Sequence, residues 1–250
     1  MRNRYRTAIS VAAISVCTLG VAQVASAADP NICVAANGEQ QVQKGNTDCE
    51  ADGTGSVAIA RGDESEAIAT GGDRNRATAS GDDSVAFAGN GDNNTATASG
   101  DGSIANVNSL PLASSVGDNN TATASGDGSN AYAGNGDNNT ATASGDDSTA
   151  KAFFGNNNTA TASGDDSIAW AGMGGDNNTA TASGDVSTVS GDRPVGSASW
   201  AFAVNGINNT ATASGDGSSA FAGDGPNNTA TATTEGCSVD ASGNTQTGSC

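Results

Sequence analysis

The chain has 250 residues, 35 of them Gly and none of them His, and a net charge of −18 from 27 acidic and 9 basic residues. A polyanion of this kind repels nucleic acid, so cations are its natural counter-partners. Without His, a nucleophile–base motif or a phosphate loop, the sequence predicts no enzyme.

The N-terminal 27 residues read as an export signal. Arg2, Arg4 and Arg6 form a basic region, Ala8 to Val24 is mostly apolar, and Ala25-Ser26-Ala27 supplies an A-x-A cleavage site. Thr18 and Gln23 interrupt the apolar run, which favours a cleaved signal over a membrane anchor. Bulky Val16 precedes Cys17 where a lipoprotein signal needs a small residue. Cleavage leaves 27 acidic residues against 6 basic ones, a net charge of −21. The mature chain is expected to be secreted or cell-surface associated, without a transmembrane segment.

Residues 28–54 lack the repeat described below and contain Cys33 and Cys49; residues 235–250 lack it too and contain Cys237 and Cys250. An even cysteine count in an exported chain predicts two disulfides, for which three pairings exist. Cys33–Cys49 and Cys237–Cys250 are favoured, because each pair is close in sequence and flanks the array. The stretches "CVAANG" (Cys33–Gly38) and "CSVDASG" (Cys237–Gly243) echo each other, which predicts two caps of related design. Such caps would cover strand edges that otherwise invite end-to-end association.

Between residues 55 and 234 the chain repeats. One half-unit, G-D-N-N-T-A-T-A-S, begins at Gly91, Gly117, Gly136 and Gly175, with weaker copies at Gly72, Gly155, Gly206 and Gly225. The other, G-D-x-S-x-A-x-A, begins at Gly62, Gly81, Gly100, Gly126, Gly145, Gly164, Gly184 and Gly215. Together they make a unit of about 19 residues, lengthened at Val107–Val116 and at Val189–Trp200. In each half, turn formers that tolerate positive φ precede five strictly alternating residues. Period-two alternation is the strand signal, and no helical period follows residue 28. The predicted fold is all-β: a parallel β-solenoid or β-roll of about nine coils, two short strands per coil, with disulfide-stapled caps. At roughly 4.8 Å per coil, the rod would be about 43 Å long.

One side of every strand is small: Asn or Ser, then Ala, then Ala. The other side is Thr-Thr on the first strand and variable on the second, as in Val85/Phe87, Thr149/Lys151, Ile168/Trp170 and Trp200/Phe202. Large apolar residues prefer the inside, but Glu66 and Lys151 would then be buried without partners. The uniformity of the small side favours Ala inside and a partly exposed aromatic stripe.

The alternation of "GSVAIA" (Gly55–Ala60) with "ATASGDDSVAFAG" (Ala77–Gly89) resembles the head repeats of YadA-like trimeric autotransporter adhesins. The resemblance extends over nearly the whole array. It implies a left-handed parallel β-roll, an adhesive rod exposed at the cell surface, side-by-side trimerisation, and a cell-surface or matrix ligand. The coil here is longer than that family's, and no stretch reads as a coiled-coil stalk or a membrane-anchoring barrel.

Two sets of residues are candidate binding sites. Asp82, Asp101, Asp127, Asp146 and Asp165 recur at one corner of the coil, where carboxylates about 5 Å apart repel unless a hard cation such as Ca²⁺ bridges them. Aspartate also caps turns with no metal. The Thr-x-Thr pairs Thr95/Thr97, Thr121/Thr123, Thr140/Thr142, Thr159/Thr161 and Thr179/Thr181, continued by Thr210/Thr212 and Thr229/Thr231, form two parallel rows on one face. Such ranks resemble the ice-binding faces of solenoid antifreeze proteins, and Thr also simply suits an exposed strand. Seven "NNT" triplets match the N-x-T acceptor sequence, beginning at Asn93, Asn119, Asn138, Asn157, Asn177, Asn208 and Asn227.

Overall fold

The computed structural model describes residues 31–108, 117–185, 199–243 and 247–250. The expected export signal (1–27) and the longer parts of both insertions (109–116 and 186–198) lie outside the described residues. Within them the regular structure is entirely strand, arranged in two sheets.

The two sheets alternate along the chain, so each coil contributes one strand to each. One sheet of twelve strands carries the Thr-x-Thr segments and is called here the threonine sheet; the other has ten strands and is called the variable sheet. Within the array every pairing is parallel and in register. Thr95, Thr121, Thr140, Thr159, Thr179, Thr210 and Thr229 lie side by side. So do Val85, Ile104, Asn130, Thr149, Ile168, Trp200 and Ser219 on the variable sheet. This is a parallel β-solenoid of about nine coils, as the period implies. Both insertions leave the coil at a corner, between Asn108 and Gly117 and between Asp185 and Ser199, so neither interrupts a sheet.

The core is alanine. Ala96 and Ala98 of the threonine sheet and Ala86 and Ala88 of the variable sheet are fully buried, and the same positions are buried in every array coil. The opposite residues of the strands, including Thr95, Phe87 and Trp170, are half-exposed. The small side therefore faces in. Small side chains let the sheets sit close; among the array's described inward strand positions Val107, in register with Ala88 and Ala133, is the one larger residue.

The corners explain why the repeat writes "NNT". The first Asn adopts the left-handed region, as at Asn93 (φ +59°), Asn138 (φ +59°) and Asn227 (φ +60°), which turns the chain into the threonine sheet. The second Asn is fully buried and forms a row along the rod. The backbone N–H of Asn120 donates to Asn94 Oδ1 (2.9 Å), that of Asn139 to Asn120 (2.8 Å), that of Asn158 to Asn139 (3.0 Å), and so on to Asn228. Asn139 Nδ2 also donates to the carbonyls of Gly134 (3.4 Å) and Gly155 (2.8 Å). Asn120 and Asn158 leave their buried Nδ2 without a partner. The side chain's acceptor is therefore what every coil uses. The Thr then points outward as the first strand residue.

Both corners need Gly where one coil meets the next. A Cβ on Gly145 would lie 2.2 Å from the Gly164 carbonyl oxygen, and one on Gly136 would lie 2.1 Å from that of Gly155. No side chain fits there at the spacing the strand ladder imposes.

Both ends are stapled by disulfides: Cys33–Cys49 with Cα atoms 5.7 Å apart, and Cys237–Cys250 with Cα atoms 6.4 Å apart. The ends differ in construction, against the expectation of related caps. At the N-terminal end β1 (Ile32–Ala36) runs antiparallel to Val57–Arg61, and β2 (Glu39–Lys44) folds back on β1 as a hairpin. Its turn, Asn37-Gly38, has both residues at positive φ, as a two-residue hairpin requires. Next, β3 (Asp48–Ala51) joins the variable sheet in parallel. At the other end Ser238–Ser242 and Thr247–Ser249 continue the parallel stacking. That segment is a last, irregular coil.

Candidate functional site

The ten threonines singled out from Thr95 to Thr181 come together on one face as two columns. The first column is Thr95, Thr121, Thr140, Thr159 and Thr179, extended by Thr210 and Thr229. The second is Thr97, Thr123, Thr142, Thr161 and Thr181, extended by Thr212 and Thr231. From Thr95 to Thr231 every outward position of the threonine sheet is Thr. The columns lie about 6.6 Å apart along the strand, and successive rows about 4.8 Å apart. Thr97, Thr123 and Thr161 are half-exposed, as are the other members of both columns, so the face is neither buried nor fully open. The strand ladder and the in-register neighbours cover part of each side chain, and each hydroxyl offers a donor and an acceptor outward. The lattice is interrupted at its N-terminal side, where Arg76 stands in the register position of Thr95.

Asp82, Asp101, Asp127, Asp146 and Asp165 form a single row, one per coil. The backbone N–H of each donates to the carboxylate of the next: Asp82 to Asp101 (3.0 Å), Asp101 to Asp127 (3.0 Å), Asp127 to Asp146 (2.9 Å), Asp146 to Asp165 (3.0 Å) and Asp165 to Asp185 (2.9 Å). The second corner has a matching row through Asp73, Asp92, Asp118 and Asp137. In that row Asn156 replaces Asp and accepts the same bond from Asp137 N–H (2.8 Å). One carboxylate oxygen is thus engaged in joining coils. Among the described residues no group of three or more His, Cys, Asp or Glu converges on a point where a metal ion would sit.

The variable sheet carries a stripe of aromatic rings in contact from coil to coil. Tyr132 and Phe153 pack edge-on with centroids 6.0 Å apart, Phe153 and Trp170 at 6.3 Å, and Trp170 and Phe202 at 5.3 Å. Trp200 lies 5.9 Å from Phe202 on the same strand, and Phe221 follows in register. Lys151, the one cation in this column, holds its ammonium 4.7 Å from the centroid of the Trp170 ring. The stripe is half-exposed rather than buried, as the assignment of Ala to the core requires.

Beside this stripe two residues depart from the repeat in a way that sequence reasoning missed. One corner position is Asn90, Asn135, Asn205 and Asp224 in four coils, all at positive φ. In two adjacent coils it is Phe154 (φ +55°) and Met173 (φ +59°). The signal was present: "AFFGNNN" and "AGMGGDNN" stand where other coils write "AGNGDNN". One coil further on, Ile207 replaces the row's Asp and is 49% exposed.

Compared with protein-family models, with curated proteins and with solved structures, the chain matches none. The likeness to YadA-like heads therefore rests on the repeat pattern and the solenoid.

Proposed function

We propose that this chain is an exported or surface-associated structural and adhesive rod that binds through its flat faces. One observation carries the reading. The core is nearly uniform from coil to coil, yet the variable sheet carries a half-exposed run of contacting aromatic rings from Tyr132 to Phe202, which the alanine core does not require. Export is supported by the N-terminal signal pattern and by the two disulfides, which persist in an oxidising compartment. By its resemblance to adhesin heads the rod is read as a side-by-side trimer. Light scattering and cross-linking of the exported chain test the assembly, and binding to cell surfaces or matrix tests adhesion. A monomer that binds neither removes the reading.

A second reading, ice binding, is favoured by the threonine lattice. Ordered hydroxyls at about 4.8 Å by 6.6 Å on a flat, uncharged face offer water a repeating two-dimensional template. Thermal hysteresis of the purified chain is the assay. Thr142→Tyr, at the centre of the face between Thr123 and Thr161, is expected to abolish activity. Undiminished hysteresis in that variant rules the face out.

A further inference from the structure

The aromatic stripe continues round one corner of the rod. Phe154 packs against Phe153 with ring centroids 4.9 Å apart. Phe154 and Met173 are 43% and 40% exposed. A bulky residue at positive φ is strained, and the equivalent corner in other coils uses Asn, Asp or Gly, which adopt that conformation readily. Neither exception is buried: Phe154 gains a ring contact with Phe153, yet both residues keep about two-fifths of their surface in solvent. Strain held at exposed apolar residues, in two adjacent coils and beside the aromatic stripe, marks a surface selected for contact.

The charge around the patch says what covers it. Asp146, Asp165 and Asp185 line one edge; the other carries Asp137 and Asp176 with the neutral Asn156 between them, and Lys151 is the only base among the described residues of the stripe. An acidic border disfavours docking this patch onto the same patch of a second copy, which carries the same border. The ring faces already accept a cation, as the Lys151–Trp170 contact demonstrates. We propose that Tyr132, Phe153, Trp170 and Phe202, with the strained Phe154 and Met173, form a docking surface for a cationic amphipathic polypeptide, whose apolar residues cover the rings while its basic residues meet the two aspartate rows. The proposal rests on the adhesive reading and names the partner's chemistry.

Both tryptophans of the chain, Trp170 and Trp200, sit in this stripe, so intrinsic fluorescence reports on it directly. The probe is a synthetic ten-residue peptide of alternating Lys and Leu, titrated into the exported chain. Saturable blue-shifted emission is expected, weakening as salt is raised through the range where the screening length falls below about 8 Å. The Phe154→Asn/Met173→Asn double variant restores the residue used elsewhere. It should bind the peptide at least about tenfold more weakly while its melting temperature rises by a few degrees, a pairing that a purely structural role would not produce. Several outcomes overturn the proposal: no emission response to the Lys–Leu peptide, an equal response to a Glu–Leu peptide or to a neutral oligosaccharide, undiminished binding by the double variant, or a dimer that this variant dissolves. If the variant loses the peptide but the parent chain binds no cell surface or matrix, the adhesive reading fails and the docking surface stands. If the parent binds cells and the variant binds them equally, the reverse holds.

Discussion

Asn139 lies near the middle of the rod, in the buried row that ties each coil to the next. Replacing it with Ala removes three hydrogen bonds: those from Nδ2 to Gly134 and Gly155, and the one accepted from Asn158 N–H. The two donated bonds contribute about 1 kcal/mol each, and an orphaned buried amide adds about 1–3 kcal/mol, so the expected loss is about 3–5 kcal/mol. At roughly 2–4 °C per kcal/mol for a chain of this size, the melting temperature should fall by about 6–20 °C. Asn139→Ser should recover part of the loss, because Ser56 holds this position in an earlier coil and its hydroxyl accepts the Asn75 N–H at 3.2 Å. Asn139→Asp keeps the acceptor but buries a charge, and should be the worst of the three. Circular dichroism melts rank the variants. Amide exchange localises the damage, with protection falling first at Asn158 and the neighbouring glycines, since coils contact only adjacent coils. A melt for Asn139→Ala within about 2 °C of the parent, with Asn158 still protected, would refute the claim that this row joins the coils.

Three further outcomes are expected. Asp127→Asn should melt within about 2 °C of the parent, as Asn156 already serves in the matching row, whereas Asp127→Ala should lose about 1 kcal/mol with its bond to Asp101 N–H; a large penalty for Asp127→Asn seen only with calcium present would instead assign the row to the metal. Gly145→Ala places a methyl group 2.2 Å from the Gly164 carbonyl oxygen and should split or unfold the rod locally, visible as new proteolytic cleavage near that corner; an uncut, fully stable variant contradicts the close approach. Peptide mapping without reductant should yield Cys33–Cys49 and Cys237–Cys250, and reduction should release about 3 kcal/mol of restraint at each end, with the terminal coils losing amide protection first; uniform loss along the rod would count against local staples.

Much of this architecture was legible because the repeat states it many times. Period-two alternation between Gly-Asp corners gave the strands, and the constancy of Ala at alternate positions placed it inside. Three things were hidden for physical reasons. The two Asn of each "NNT" are the same letter, yet one supplies a left-handed turn and its neighbour a buried acceptor; composition does not separate backbone from side-chain duties. The hairpin at Asn37-Gly38 carried a recognised turn signal, but it interrupts a parallel array, and the echo between the two cysteine-bearing ends suggested a symmetry that the N-terminal antiparallel pairing breaks. Phe154 and Met173 stand where other coils write Asn or Asp, and nothing in the letters alone shows that the position needs a positive φ. The candidate surfaces were the least legible part, because a face becomes visible only when registers are known.

The uniform threonine sheet also poses a problem of address. Its strands from Thr95 to Ala232 carry the same four letters, so any one can pair with any other at no local cost. A folding chain that skips a coil would loop out one whole unit and still form a flawless ladder on that side. Of the two sheets, the variable one tells coils apart: Tyr132 meets Lys151, Lys151 meets Trp170, and Trp170 meets Phe202. A repeat this regular thus stores its count not in the sheet that is most uniform but in the residues that break the uniformity.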